Sequence, residues 1–274
     1  FFYKNKNSLI RLLSVENFLY YSRMIKNRLY TEQALLVGES CVLEAAPSKH
    51  LIRVLRAGVG ERCFLFNGDG AQYLAEITQA ESRAVLRVLK QDCPLVESPL
   101  RITLAQGLSR GERMDYVIQK SVECGVHAIV PVMTSRCGVK LSEQRMLKRQ
   151  AHWQAVAISA CEQSGRCVVP KVELPVAFGH WVQRVTGVAI VADTALGAST
   201  KRFVGVPSSC TVMIGPEGGV SSDELKQMYD RGFIGMSLGP RILRTETASV
   251  VAMTYLQMQW GDLNVSNAGE RKGR

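Results

Sequence analysis

The sequence predicts an α/β protein, built from a small β-rich module and a larger domain with a parallel sheet. Residues 24–93 contain short alternating strand patterns broken by turn signals. From residue 100 onward, apolar strands alternate with amphipathic helices. That alternation is typical of a parallel sheet covered by helices on both faces. Residues 94–99, which contain two prolines, are predicted to link the two domains.

The β-rich module is predicted to fold around one hairpin. Asn67-Gly68-Asp69-Gly70 is a strong hairpin turn signal and follows the strand 62–66. The other predicted strands are 39–43, 72–78 and 83–90. One short helix interrupts them, with Ser48 as its expected N-cap and an apolar stripe at 51, 52, 54 and 55. The module is therefore expected to be a small β-barrel.

The larger domain is predicted to span residues 100–262. Its predicted strands are 101–106, 128–133, 188–192, 211–214 and 234–238, and its predicted helices are 113–124, 142–163, 222–231 and 245–260. Ligands of such sheets bind beyond the carboxyl ends of the strands. The loops that follow the strands are therefore the places to look for chemistry.

One of these loops is rich in glycine. The strand 211–214 runs into Gly215-Pro216-Glu217-Gly218-Gly219, and a capping-box pattern then opens a helix at Ser221. Glycines at a strand end allow close approach of a ligand to the backbone, but they equally suit a tight turn with no ligand. Glu217 would repel a phosphate and the Walker ending is absent, so a phosphate loop is excluded.

A second loop places charge at a helix start. Leu238-Gly239-Pro240-Arg241-Ile242-Leu243 leads into Arg244-Thr245-Glu246-Thr247-Ala248, where Thr245 is expected to cap the last helix. The helix dipole favours Glu246 at this end, whereas it disfavours the cation Arg244. The position of Arg244 therefore indicates a functional role.

The two loops together resemble the paired signature of the 16S ribosomal RNA uridine-N3 methyltransferases, a branch of the SPOUT superfamily. Residues 50–56 and 66–70 resemble the PUA-like RNA-binding domain of that family, and residues 119–126 and 162–166 match further family segments. The resemblance covers nearly all of residues 24–260. Cys124 departs from it, because leucine is expected at that position.

This resemblance implies a fold, a cofactor and partners. The fold would be a SPOUT-type parallel sheet with a deep trefoil knot, preceded by a PUA-like barrel, in a cytoplasmic homodimer that needs no metal. S-adenosyl-L-methionine (SAM) would be held by the loops 193–197, 214–219 and 238–248. The expected cofactor-binding residues are Leu196, Ile214, Gly215, Glu217, Gly219, Leu238, Gly239, Ile242, Leu243, Thr245, Thr247 and Ala248. Met253 and Met258 on the last helix suit either a dimer contact or plain core packing.

The expected reaction assigns roles to three charged residues. Uridine N3 becomes nucleophilic as its proton is lost, and an arginine can stabilise the negative charge that develops. Arg244 is the predicted stabiliser, and Glu217 or Glu246 is expected to orient it or the base. No residue is assigned as the general base, and the four histidines are expected to be structural or to contact RNA.

The N3 atom lies on the Watson–Crick edge of the base, so the target must be unpaired or flipped out. The partner expected from the resemblance is 16S ribosomal RNA in the small subunit. Arg28, Lys49, Arg53 and Arg56 are the predicted RNA contacts, with Arg53 and Arg56 on one helix face and Lys49 four residues before Arg53. A solvated helix face is the alternative for any one of them. The net charge of +10 is compatible with nucleic acid but does not establish it.

Two rival functions stay open. One is a SPOUT enzyme that methylates ribose 2′-hydroxyls, disfavoured because Arg113-Met114-Asp115-Tyr116 and the run 244–247 differ from the segments typical of those enzymes. The other is a non-catalytic ribosome-assembly factor. A dinucleotide oxidoreductase is disfavoured because no Gly-x-Gly-x-x-Gly fingerprint follows a strand. Residues 1–23 are interpreted as a non-native or misassigned extension, and residues 263–274 as a fraying tail.

Overall fold

The computed structural model describes residues 27–138, 142–196 and 205–263. The chain divides into two compact units between Leu95 and Val96. The expected extension 1–23 and all but the first residue of the expected tail 263–274 lie outside the described residues.

The first unit is a five-stranded sheet. In spatial order its strands are β1 (Arg28–Tyr30), β3 (Arg62–Phe66), β4 (Gln72–Ala80), β5 (Ala84–Asp92) and β2 (Ser40–Val42). β1 pairs with β3 in parallel and the other pairs are antiparallel. The predicted hairpin turn joins β3 to β4, with Gly68 at φ 92° and Gly70 at φ 91°. The two edge strands of this sheet are β1 and β2. A side chain bridges them: the amide of Gln33, which follows β1, donates to the Val42 carbonyl of β2 at 2.6 Å.

The helical segment of this unit corrects two predictions. It consists of α1 (Ala45–Lys49) continued by a π-helical turn, His50–Val54. Ser48 is not an N-cap: it is buried inside α1, where its hydroxyl donates to the Leu43 carbonyl at 3.0 Å and accepts from the Ala84 amide at 3.1 Å. The predicted stripe is also only half buried, since Val54 is 64% exposed.

The second unit is a seven-stranded sheet in which every pairing is parallel. Its strands are β6 (Arg101–Gly107), β7 (Ala128–Met133), β8 (Lys171–Val172), β9 (Val176–Ala177), β10 (Val188–Ala192), β11 (Ser209–Ile214) and β12 (Ile234–Met236). The spatial order is β12-β10-β11-β6-β7-β8, and β9 also pairs with β7. The parallel sheet predicted from the sequence is confirmed.

The helices of the second unit are α2 (Arg113–Glu123), α3 (Glu143–Ser164), α4 (Phe178–Arg184), α5 (Ser222–Asp230) and α6 (Thr245–Trp260), with a 3-10 turn at Thr194–Leu196. The sequence missed β8, β9 and α4, because two-residue strands and a seven-residue helix show little periodicity. The last strand also ends earlier than predicted, at Met236.

Both faces of the parallel sheet are buried. Ala189, Val191 and Met213 pack on one face with Trp181 and Phe233. The intervening side chains, including Ile190, Val212 and Leu104, are fully buried as well, because successive residues of a strand point to opposite faces. Helix α6 packs against β6, β11 and α2. The sheet is therefore covered on both faces, and the ends of its strands are the places where a ligand is expected.

Three observations bear on general properties of the chain. Burial raises the pKa of Cys63 and of Cys210 to about 12, so both behave as apolar side chains. Within the described ranges, no group of three or more His, Cys, Asp or Glu side chains could hold a metal ion. No helix of that part of the chain combines the length and apolarity needed to cross a membrane.

Candidate active site at the carboxyl edge of the parallel sheet

Three loops lie at one edge of the parallel sheet. Strands β12, β10 and β11 are neighbours, and Ile190 of β10 aligns with Ile234 and with Val212. Because parallel strands end at the same edge, the loops 193–196, 215–220 and 237–244 emerge side by side. Gly197, the last residue of the first predicted loop, lies outside the described residues.

Glycine is required in the 215–220 loop by close backbone approach. A Cβ on Gly218 would lie 2.9 Å from the Arg136 carbonyl oxygen, and one on Gly107 would lie 2.4 Å from Pro216. Gly219 has a φ of 70° and donates its amide to the Pro216 carbonyl at 2.8 Å. The loop is thus a tight turn whose backbone lies against the end of β6 and against the residues that follow β7.

A buried chain of hydrogen bonds ties this loop to α6. The Thr245 hydroxyl donates to the Gly215 carbonyl at 2.6 Å and accepts from the Gln106 amide at 2.9 Å. The Ser249 hydroxyl donates to Gln106 at 2.6 Å. Thr245 was predicted to cap α6, but the N-cap is Arg244, with ψ 153° and no side-chain cap. The threonine sits inside the helix because its hydroxyl satisfies a carbonyl of a distant loop.

The loop after β10 is fixed from the other side. Asp193 accepts hydrogen bonds from the Ala195 amide at 2.9 Å and from the Tyr229 hydroxyl at 2.6 Å. Burial and this hydrogen bond raise the pKa of Tyr229 to about 12. Leu196 packs on Gly235, where an added Cβ would meet its Cδ1 at 2.2 Å. Leu196 is therefore held at the sheet edge by its neighbour strand β12.

Arg113 lies close to both acidic residues that were predicted to serve the reaction, Glu217 and Glu246. Its Nη1 lies 2.6 Å from Glu217 Oε1, and its Nε lies 4.0 Å from Glu246 Oε1. The Arg110 amide also donates to Glu217 Oε1, at 3.0 Å. The other oxygen of Glu246, Oε2, is buried without a hydrogen-bond partner. One cation from α2 thus connects the glycine loop with the start of α6.

The ionisation of Glu217 follows from these contacts. Partial burial acts to raise its pKa, but the Arg110 amide and the Arg113 guanidinium outweigh that effect and lower the pKa below its ordinary value. The hydrogen bond to Glu217 in turn raises the pKa of Arg113. Both groups are charged at neutral pH, so Glu217 acts here as a fixed anion.

Arg244 forms no ion pair with Glu217 or Glu246. Its side chain is exposed, and within the described ranges it has no hydrogen bond or ion pair. The structure therefore brings Glu217 and Glu246 together on Arg113 and not on Arg244. Beside it, Ile242 is 92% exposed.

The predicted cofactor-binding residues occupy all three loops but differ in burial. Buried residues among them are Ile214 and Thr245; partly buried are Leu196, Gly215, Gly219, Leu238, Leu243 and Ala248; exposed are Glu217, Gly239, Ile242 and Thr247. Sequence reasoning missed Arg113, Gln106 and Tyr229, which act through contacts with residues far away in the chain. The Arg113–Glu217 pair spans 104 positions, so no local pattern could have shown it.

The predicted RNA contacts lie in the first unit. Lys49, Arg53 and Arg56 are exposed, but Arg56 lies beyond the helical segment with a φ of 56°. The prediction that Arg53 and Arg56 share one helix face is therefore wrong, because the π turn ends at Val54. Arg28 lies on β1, where it stacks on Phe66 with 5.0 Å to the ring centroid and donates to Gln72.

A cavity of about 950 Å³ opens at the other edge of the parallel sheet. Its lining includes Thr103 and Thr211, near the starts of β6 and β11, together with Lys171 and Arg184. We place the site at the carboxyl edge despite this volume, because among the described residues that edge combines glycine loops, a helix N-terminus and an ion pair.

Family models match both units of the chain. The RNA methyltransferase domain model matches residues 96–257, and the RNA methyltransferase PUA domain model matches residues 44–89.

Individual proteins agree with this match. The ribosomal RNA small subunit methyltransferase E of Buchnera aphidicola is 32% identical, with 86% of this chain and 98% of the relative covered. The solved enzyme of the same description from Neisseria gonorrhoeae, bound to S-adenosyl methionine, is 38% identical with a TM-score of 0.81, covering 87% and 99% of the two chains. A Legionella pneumophila methyltransferase solved with bound SAM is 37% identical with a TM-score of 0.83, covering 86% and 98%.

The fold, the strand-end loops and the PUA match together define an RNA methyltransferase. More narrowly, the chain belongs to the ribosomal RNA small subunit methyltransferase E family. The resemblance drawn from the two loop signatures is thereby confirmed.

Proposed function

We propose that this chain transfers a methyl group from S-adenosylmethionine to the N3 atom of a uridine in 16S ribosomal RNA of the small subunit. The observation that carries the proposal is the junction of the two signature loops, where Thr245 of α6 holds the Gly215 carbonyl at 2.6 Å. That contact brings the glycine loop and the Arg244 helix start to one sheet edge. The relatives' names, which specify small subunit ribosomal RNA and bound SAM, support the substrate class and the cofactor.

The residues of the three loops suit this cofactor. A Cβ at Gly219 would meet nothing within 4 Å, so the loop backbone leaves open space there for the polar groups of an adenosine or an amino acid. Leu196, Leu238 and the other apolar residues predicted for the site suit the adenine ring. When bound, SAM supplies an activated methyl group on a sulfonium centre, so the chain's task is alignment and charge stabilisation.

Arg244 is proposed to stabilise the negative charge that spreads onto the uracil oxygens as the N3 proton is lost. Its guanidinium is exposed and uncommitted within the described residues, whereas Arg113 is held by Glu217. A cation placed where charge develops lowers the barrier. Glu217 and Glu246 are proposed to act as positioning residues through Arg113, and the acceptor of the N3 proton stays unassigned.

The first unit is proposed to bring the RNA to this site. A uridine N3 is accessible only when the base is unpaired or flipped out, so a separate domain that binds the surrounding RNA is of use. The exposed side chains of Lys49, Arg53 and Arg56 suit phosphate contacts, which position a nucleic acid without reading its sequence. Arg28 is held by Phe66 and Gln72, so it is proposed to contact RNA with a fixed orientation.

Two finer features of the fold are also part of the proposal. A SPOUT-type knot is proposed from the family resemblance alone. A homodimer is supported by apolar exposure on the second unit, since Ile242 is 92% and Met258 is 55% exposed. Met253 is fully buried within the domain, so it is left out of the proposed contact.

The test is methyl transfer from labelled SAM to small ribosomal subunits that lack the modification, followed by nucleoside mass analysis. We expect 3-methyluridine. Detection of a 2′-O-methyl nucleoside would show that the chain is a ribose-modifying enzyme instead. SAM binding without any methylated product would refute the assigned substrate.

The same assay tests Arg244. Arg244→Gln should lower kcat about 100-fold, the size typical of removing one preorganised group that stabilises developing charge. Arg241→Gln is the matched control, since it removes an exposed arginine of the same loop. Equal effects of the two substitutions would contradict a specific role for Arg244.

A further inference from the structure

Two arginines lie beside the cofactor loops and belong to neither signature. Arg110 follows β6, which pairs with β11, and Arg136 follows β7, which pairs with β6. Both strands end at the same edge as β10, β11 and β12. The carboxyl edge therefore continues past the glycine loop onto a surface that carries these two exposed cations, named here the arginine shelf (Arg110 and Arg136).

The backbone of both shelf residues contacts the glycine loop. The Arg110 amide donates to Glu217 at 3.0 Å, and the Arg110 guanidinium packs so closely on Gly138 that an added Cβ there would lie 2.3 Å from Nη2. The Arg136 carbonyl contacts Gly218, and Arg136 Nη1 lies 3.4 Å from the Gly218 and Val220 carbonyls. These contacts place the two residues beside the glycine loop.

The charges of the shelf are also uncompensated. Arg113, one turn further on, is paired with Glu217 at 2.6 Å and approaches Glu246. In the described part of the chain, neither the Arg110 guanidinium nor the Arg136 guanidinium has a carboxylate within 4.0 Å. The carboxylate of Glu217 is taken up by Arg113, which leaves the shelf cations available to an anion from outside. The carbonyl contacts of Arg136 are long and leave its remaining donors open.

We propose that the arginine shelf binds the RNA phosphodiester backbone next to the target nucleotide. The proposal rests on the RNA methyltransferase function above and adds a binding surface on the catalytic unit itself. Arginine matches phosphate oxygens with paired donors, and its contacts with phosphate fix the register of a strand. A flipped-out nucleotide is held at the loops while the shelf holds the phosphate that flanks it.

The test compares Arg110→Gln and Arg136→Gln with Arg184→Gln, which removes an exposed arginine at the opposite, amino edge of the sheet. Small ribosomal subunits lacking the modification serve as the RNA probe, and binding is measured at several salt concentrations. Each shelf variant should raise KM for the subunits roughly five- to tenfold and reduce the salt slope of binding by about 0.7, as loss of one phosphate contact predicts. Arg136→Lys should recover part of the affinity, because it keeps the charge.

The outcomes separate the shelf from its alternatives. A shelf variant with the KM and salt slope of Arg184→Gln would overturn the proposal. A loss of SAM affinity in the shelf variants would also overturn it, because it would show that these arginines only support the glycine loop. Failure of the unsubstituted protein to methylate subunits would refute the proposed function instead, and the salt slopes of subunit binding would still decide the role of the shelf.

Discussion

Replacement of Thr245 by valine should loosen the junction between the two signature loops. The Thr245 hydroxyl is buried, with the residue 6% exposed, and it joins the Gly215 carbonyl to Gln106. Valine keeps the shape but removes the donor to Gly215. One N–H of the buried Gln106 amide keeps its bond to the Gly107 carbonyl at 3.0 Å, but the N–H that donates to Thr245 loses its acceptor.

The magnitude follows from a buried carbonyl that loses its donor and a buried N–H that loses its acceptor. Such a loss costs about 1–3 kcal/mol. For a domain of 150–250 residues that corresponds to a fall in Tm of roughly 2–4 °C per kcal/mol. We therefore expect Thr245→Val to lower the Tm of the second unit by several degrees and to weaken SAM binding, since the 215–220 loop loses its anchor.

Tryptophan fluorescence is a suitable assay, because all three tryptophans, Trp153, Trp181 and Trp260, belong to the second unit. Urea unfolding followed this way reports on that unit, and calorimetry gives the SAM affinity. Thr245→Ser is the control, since it keeps the hydroxyl and should retain most of the stability. A valine variant as stable as the unsubstituted protein, or a serine variant as unstable as valine, would refute the role of this hydrogen bond.

Three further substitutions test other parts of the site. Gly218→Ala should weaken SAM binding in calorimetry, because its Cβ would lie 2.9 Å from the Arg136 carbonyl and shift the loop; unchanged affinity would contradict this. Glu217 has a lowered pKa, so its stabilisation is present above the unfolded pKa and is lost as pH falls through the folded pKa. Glu217→Gln should therefore flatten the acid limb of stability in urea melts at stepped pH, and a limb of unchanged slope would contradict the pair with Arg113. Tyr229→Phe should remove one phenol with a pKa of about 12, as measured by ultraviolet absorbance, and should weaken SAM binding. An unaltered titration would show that Tyr229 is not held by Asp193.

The helix caps show what local sequence can and cannot predict. Ser221 was predicted as a cap and is one, because its partner Glu224 lies three residues away in the capping box. Ser48 and Thr245 were also predicted as caps but lie inside their helices. Their hydroxyls bind the carbonyls of Leu43 and Gly215, and the Gly215 contact spans 30 positions. Local sequence predicts an N-cap where the hydrogen-bond partners of the cap lie a few residues away. The prediction fails where a carbonyl from elsewhere in the chain competes for the hydroxyl.

The candidate site likewise has some features that the sequence predicts and others that it does not. Glycine loops were recognisable, because close backbone approach excludes side chains at positions such as Gly218. The parallel order of β12, β10 and β11 then brought the loops together, as strand-end geometry predicts. The pairing of Glu217 with Arg113 could not be read from the sequence, since it depends on how α2 is placed over the sheet edge.

Hydrogen exchange with and without S-adenosylhomocysteine tests the location of the cofactor site most directly. We predict slower amide exchange in peptides that cover 193–196, 215–220 and 237–248, and no change around 171–176, which lines the cavity at the amino edge. Protection of 171–176 with none at the three loops would contradict the account and move the cofactor to the opposite edge of the sheet.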